Sequence, residues 1–183
     1  RRGNNLQFFQ LYTGIVGMPV YRCVRHVLDN FPQKEGTPVW SLTLSNSQCR
    51  RLNKQINDDM YSGGGLWIDA THQVDGQGCW LFDGMHVVGC ATEQGIFNGQ
   101  LYTVVGLMPG IVKLQVYNQR EQFDLKICNI RSIRPAHVLT YYSCQGRTLI
   151  GRIRLYVQHQ KLTTTHIVVG LSRATCPSLI DCV

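Results

Sequence analysis

Two short segments carry residue types whose order could do chemistry. The first is Leu139-Thr140-Tyr141-Tyr142-Ser143-Cys144-Gln145-Gly146-Arg147-Thr148-Leu149. It sets hydroxyls, an amide and a glycine in succession behind an apolar run. At a strand end, such a loop offers polar side chains to an oxygen-rich ligand, and Gly146 lets backbone N–H groups come close to it. The second is Thr165-His166-Ile167-Val168-Val169-Gly170-Leu171-Ser172-Arg173-Ala174-Thr175, in which Arg173 follows an apolar stretch closed by Gly170-Leu171-Ser172. An arginine there can reach a phosphate and stabilise charge that develops in phosphoryl transfer. Taken singly, each segment also fits a plain connecting loop or a structural arginine.

Other chemistries have less to stand on. No G-x-x-x-x-G-K-[ST] loop occurs, and no Asp-Glu pair that could hold magnesium. Asp58-Asp59 falls on a surface helix and reads as solvent-facing. His26, His72, His86 and His137 are scattered without a ligand-spaced partner, so no metal residue is assigned. The eight cysteines form no C-x-x-C pair; buried reduced thiols are the expected state, with a disulfide or metal site the alternative. Trp40, Trp67 and Trp80 are expected to pack a core or its rim, with base stacking the alternative for Trp67 and Trp80.

Positioning the two segments requires an α/β framework. Residues 6–17 and 20–30 have helical apolar spacing, broken at Phe31-Pro32 and Gly36-Thr37-Pro38. Val39–Leu44 reads as a buried strand. Ser45 or Ser47 can cap the helix after it, whose inner face is Leu52, Ile56 and Met60. Beyond Ser62-Gly63-Gly64-Gly65, β-type runs follow at Met85–Cys90, Leu101–Leu107, Ile111–Tyr117 and Phe123–Ile127. The α/β pattern returns with strands at Val138–Tyr142, Arg152–Val157 and Leu179–Val183, and Thr163–Ala174 reads as a helix start. One α/β domain interrupted by a β insert is the simplest organisation.

The chain has 183 residues and a net charge of +7, from 18 Lys and Arg against 11 Asp and Glu. Between Leu125 and Ile180 there is no acid, and Lys126, Arg131, Arg134, Arg147, Arg152, Arg154, Lys161 and Arg173 give that stretch +8. One-sided charge of this kind suits a polyanion such as a phosphate backbone; a solvated basic face is the alternative. No apolar run approaches the roughly 20 residues that cross a bilayer. The expectation is an intracellular protein without a membrane partner.

Together, the two segments resemble the late motifs of superfamily 1B DNA helicases of the RecD-like/Pif type. Thr140, Gln145, Gly146 and Thr148 match that family's T-x-x-x-x-Q-G-x-T loop, and Leu171-Ser172-Arg173-Ala174 its S-R-A motif. Leu42–Ser47, with Asn53 and Asn57, looks like its strand-plus-helix element. Gly84–Val88 and Phe97-Asn98-Gly99-Gln100 look like its G-x-x-V strand and N-G turn. Three positions depart from the pattern: Tyr141-Tyr142 stands where the family has His-Lys, and Gly170 where Ala is common. The loss removes one basic backbone contact and offers an aromatic that could stack on a base.

The resemblance implies a C-terminal motor region: a second RecA-like domain (1–65 and 131–183) split by a small SH3-like β-barrel insert (66–130). It implies Arg173 and Gln145 as catalytic residues, and Gly146 with Arg173 at the nucleotide. Thr140, Ser143, Thr148, Asn46 and Asn98 would contact nucleic acid, and Arg1 or Arg2 would be the remnant of an F-R-Q motif. ATP and Mg2+ would serve the full-length parent, the metal being held by the N-terminal RecA-like domain. Single-stranded DNA, or RNA, would be the partner, with 5′ to 3′ translocation. Arg173→Ala in the full-length parent would remove most ATP turnover and leave single-strand affinity largely intact. A non-catalytic single-strand-binding module descended from a helicase is the alternative; without the Walker loop, this chain by itself is expected not to hydrolyse ATP.

Overall fold

The computed structural model describes residues 5–72, 78–93 and 95–183. In chain order it opens with helices α1 (Leu6–Gly14) and α2 (Val20–Asn30), strand β1 (Trp40–Thr43) and helix α3 (Asn46–Met60). Seven strands follow: β2 (Leu66–Ile68), β3 (Cys79–Leu81), β4 (His86–Gly89), β5 (Leu101–Met108), β6 (Ile111–Val116), β7 (Gln122–Lys126) and β8 (Ile133–Pro135). The chain closes with β9 (Val138–Thr140), β10 (Ile153–Leu155), helix α4 (Thr164–Leu171) and β11 (Ile180–Cys182). Two compact units result, one from residues 1–49 and 138–183, the other from residues 50–137.

The first unit is built on a four-stranded parallel sheet in the order β11-β10-β1-β9. Strands β1, β10 and β11 are buried at every residue, as parallel strands covered on both faces must be. In Trp40–Thr43 the covering extends to the polar Ser41 and Thr43, which alternate with Trp40 and Leu42 and are buried with them. Helix α1 starts where the Asn5 side chain accepts the Phe8 N–H at 2.8 Å. Its Phe8 meets Tyr12 and Phe31 edge-on, at ring centroid distances of 5.3 and 6.4 Å. Helix α2 buries Cys23 and Val27 and packs on α4 and β11. Ser45 caps α3, accepting the Gln48 N–H at 3.2 Å. On α3, Leu52 and Ile56 are buried as expected, but Met60 is 43% exposed; the helix ends there, and its last turn has left the inner face.

The second unit is antiparallel. A hairpin pairs β2 with β3, placing Trp67 opposite Trp80. The larger sheet has five strands in the order β7-β6-β5-β4-β8. Tyr102 and Val104 on β5, Val112 and Leu114 on β6 and Leu125 on β7 point to one buried face, the period-two pattern of a half-covered sheet. Asn118, with φ 62°, makes the turn between β6 and β7. Strands β7 and β8 are the sheet's edges and are not paired with one another among the described residues. The expected barrel is therefore present only as an open antiparallel sheet. The structure adds strands β2, β3 and β8, three residues each, too short to leave a periodicity in the sequence.

Candidate nucleic-acid interface

Strand β9 delivers the first chemical segment. It runs parallel to β1 with Thr140 in register with Thr43, and the Tyr141 N–H donates to Thr43 O at 2.9 Å. The loop after β9 and the loop that starts α3 therefore leave the sheet at the same carboxyl edge. Open α/β sheets bind ligands at that edge. The topology brings Asn46, exposed at the start of α3, to the edge that carries Thr140 to Thr148.

The loop itself is a fixed turn. The Ser143 N–H donates to Thr140 Oγ1 at 3.1 Å, and the Thr140 N–H to Ser143 Oγ at 3.0 Å. Ser143 Oγ donates in turn to Thr140 O at 3.0 Å. Ser/Thr turns of this kind satisfy strand-end backbone locally. Two side chains anchor the loop below: Tyr141, 1% exposed, whose hydroxyl donates to Tyr156 O at 3.2 Å, and Cys144, 0% exposed. Burial pushes the Tyr141 phenol well above its ordinary range, so it is a neutral donor. Leu149, also buried, ends the segment.

What remains outside is Tyr142, 77% exposed, with Gln145 and Gly146, while Ser143, Arg147 and Thr148 are half-buried. Gly146 has φ 79°, a left-handed conformation that glycine adopts at no steric cost. The sequence does not say which of two adjacent tyrosines faces out; the burial of Tyr141 and its hydroxyl's bond to Tyr156 O decide it. Tyr142 is thus the surface aromatic of this edge, a role that composition alone does not assign.

Arg173 approaches the same loop from the end of α4. The Thr163 side chain caps that helix, and Thr163 N–H donates to His166 Nδ1 at 3.1 Å, completing a capping box. The helix stops at Leu171. Arg173 Nε–H donates back to Val169 O at 3.0 Å, satisfying one carbonyl of the last turn. Its Nη1 donates to Arg147 O at 3.1 Å and Cys144 O at 3.3 Å, and its Nη2 to Ser172 Oγ at 2.8 Å. Arg147 beside it is pushed below the usual guanidinium range by desolvation.

The two departures in the motifs touch each other. A Cβ placed on Gly170 would lie 2.8 Å from Tyr141 Cε1 and 2.9 Å from Leu155 Cδ2. Such distances are below contact, so the large ring at 141 and the absent side chain at 170 fit as a pair.

The basic stretch proves to be two populations. Lys126, Arg131 and Arg134 belong to the second unit, and the remaining five to the first. Register between β10 and β11 sets Arg154 beside Asp181. Arg154 Nε–H donates to Asp181 Oδ1 at 2.6 Å, and Arg152 Nε lies 3.6 Å from Oδ2. Arg154 also donates to Lys34 O, and Arg152 to Glu35 O, each at 2.5 Å. These arginines latch residues 34–36 onto the sheet and are not free for a polyanion. The acid lies one position past the acid-free stretch, so the sequence hides it.

Asn98 is exposed in the second unit, in the Asn98-Gly99 turn, where its N–H donates to Thr92 Oγ1 at 3.3 Å. Arg1 and Arg2 lie outside the described residues. Asp58 is ion-paired with Lys54 at 2.8 Å on the surface of α3. All eight cysteines are free thiols, five of them buried. Among the described residues, no three His, Cys, Asp or Glu side chains cluster as metal ligands. No helix among them is long and apolar enough to cross a membrane.

Solved structures that share this arrangement of a parallel α/β unit interrupted by an antiparallel one include Pif1 helicases. A Bacteroides Pif1 bound to single-stranded DNA superposes with a TM-score of 0.70 at 16% identity, over 100% of this chain and 50% of that one. A Bacteroides Pif1 in complex with ADP-AlF3 and single-stranded DNA gives 0.69 at 14% identity, over 100% and 50%. A Pif1 helicase from Candida albicans gives 0.69 at 12% identity, over 98% and 53%. The likeness is one of fold, and the chain spans about half the length of these structures. No protein-family profile and no curated protein matches the chain.

Proposed function

We propose that this chain is the C-terminal motor region of an ATP-dependent DNA helicase that moves 5′ to 3′ on single-stranded DNA. The observation that carries the reading is the Thr140–Thr148 loop at the carboxyl edge of a parallel sheet, braced by Arg173, within a fold shared along the whole chain with Pif1 helicases. Thr140, Ser143, Thr148 and Asn46 would contact the phosphate backbone from the first unit, and Asn98 from the second. Residues 66–130, within the second unit, would act as an SH3-like insert lining the strand path. Backbone contacts position a strand without reading its sequence.

Arg173, Gln145 and Gly146 would meet ATP held mainly by the N-terminal RecA-like domain, and Mg2+ would be held there too. Phosphate is the chemistry that ATP supplies at this site, and a guanidinium matches its geometry. To serve it, Arg173 would exchange carbonyl partners for phosphate oxygens. Because the Walker loop is missing from these residues, the chain by itself is expected to show no ATP turnover.

The second reading, a non-catalytic single-strand-binding module, shares the loop and dispenses with Arg173 as a nucleotide contact. Binding of oligo-dT by the 183-residue chain across a salt series, with and without ATP, tests the shared part. Affinity that falls steeply with salt is expected, by a slope of about −0.7 per phosphate contacted on a single strand. No binding at low salt overturns both readings.

A further inference from the structure

The guanidinium of Arg173 carries five N–H donors in a rigid fork. At least four are engaged, on Val169 O, Cys144 O, Arg147 O and Ser172 Oγ. Two of these acceptors flank Gln145 and Gly146. The link is reciprocal, because the Leu149 N–H donates to Arg173 O at 3.1 Å. One residue therefore holds the loop from both sides, by side chain at 144 and 147 and by backbone at 149. Within the loop, the Arg147 N–H donates to Cys144 O and the Gln145 N–H to Tyr142 O, each at 3.2 Å. Ser172 is held in place by its own bond to Val169 O at 2.9 Å.

We infer that Arg173 is a positioning residue for the nucleic-acid loop, setting the order of residues 144–149 in the absence of nucleotide. Resting on the single-strand reading above, this gives Arg173 a role in strand affinity that a residue reserved for phosphoryl transfer would not have. The carbonyls of Cys144 and Arg147 converge on one planar group, and a lysine ammonium, a point charge on a flexible stem, reproduces that fork only in part. Freed of the fork, the segment that carries Gly146 regains backbone freedom, which costs affinity each time the loop must be ordered again to bind.

The test uses the 183-residue chain with Arg173→Ala, Arg173→Lys and, as a milder probe, Ser172→Ala. Three readouts are taken: amide hydrogen exchange at Gln145–Leu149, affinity for oligo-dT without nucleotide, and the unfolding midpoint. Arg173→Ala is expected to speed exchange at Arg147 and Leu149 at least tenfold and to weaken oligo-dT binding at least fivefold. Arg173→Lys should recover part of both, Ser172→Ala should give a smaller change in the same direction, and exchange elsewhere in the chain should be unchanged. Exchange at 145–149 unaltered in all three variants overturns the inference, as does unaltered affinity with altered exchange. If the unsubstituted chain binds no oligo-dT, the strand reading fails, and the exchange data alone decide whether Arg173 orders the loop.

Discussion

The two units of this chain hold nearly equal numbers of residues and use charge in opposite ways. Residues 1–49 and 138–183 contain ten Lys and Arg against three Asp and Glu, a net +7, while residues 50–137 contain eight of each. The excess is therefore confined to the parallel-sheet unit. Within it, Arg152, Arg154 and Arg173 are consumed by Asp181 and by backbone carbonyls. A basic sequence stretch thus overstates the free charge available to a ligand. Excess cations on an α/β unit can be structural parts of loops, and the loops then carry the site.

The sharpest contrast lies between two ion pairs. Asp181 is fully buried against Arg154, whereas Asp124 and Lys113 in the second unit are 50% and 38% exposed and 3.3 Å apart. Asp181→Asn leaves a buried guanidinium without its counter-charge, and about 3–5 kcal/mol of stability should be lost. Asp124→Asn should cost no more than about 1 kcal/mol, because the surface pair is screened by solvent. Urea unfolding read from Trp40 for the first unit, and from Trp67 and Trp80 for the second, checks both; equal losses would break the contrast.

Acid should act on the second unit instead. His137 is 4% exposed, and burial, with help from His86, lowers its pKa from 6.5 to about 4. Among the described residues, its Nε2 has no hydrogen-bond partner. Below pH 6.5 the unfolded chain takes up a proton that the folded chain refuses until about pH 4. Stability is therefore full above pH 6.5 and falls as the pH drops through that window, by about 3 kcal/mol in all. His137→Phe should flatten the profile read from Trp67 and Trp80. A slope that persists in that variant assigns the titration to another group.

A smaller effect separates packing from motif. Gly170→Ala should cost about 1–3 kcal/mol, since the new methyl presses on Tyr141 and Leu155. Combined with Tyr141→Leu, which opens the space, the cost should shrink. The double-mutant cycle measures this, and strictly additive energies would mean that residues 141 and 170 do not accommodate one another.

Much of the framework could be read in the residues. The buried run at Trp40–Thr43, the Ser45 cap and the alternation along β5 to β7 each express a local rule. Met60, on the apolar spacing of α3, is exposed at the helix's last residue, because a helix's ends follow its caps rather than its periodicity. The Thr140–Thr148 loop and Arg173 were visible as residue types in order. Three features of the site were not: which tyrosine is outside, that Asp181 neutralises Arg154, and that Arg173 spends its donors on the loop. All three depend on strand register or on where a loop folds back, and a linear sequence carries neither.

The most direct measurement of the central claim is a footprint of oligo-dT on the intact chain by hydrogen exchange and Tyr142-directed side-chain labelling. The account predicts protection concentrated at residues 140–148 and around Asn46, with labelling of Tyr142 suppressed by bound strand. Protection confined to residues 50–137, or Tyr142 labelled equally with and without DNA, would contradict it.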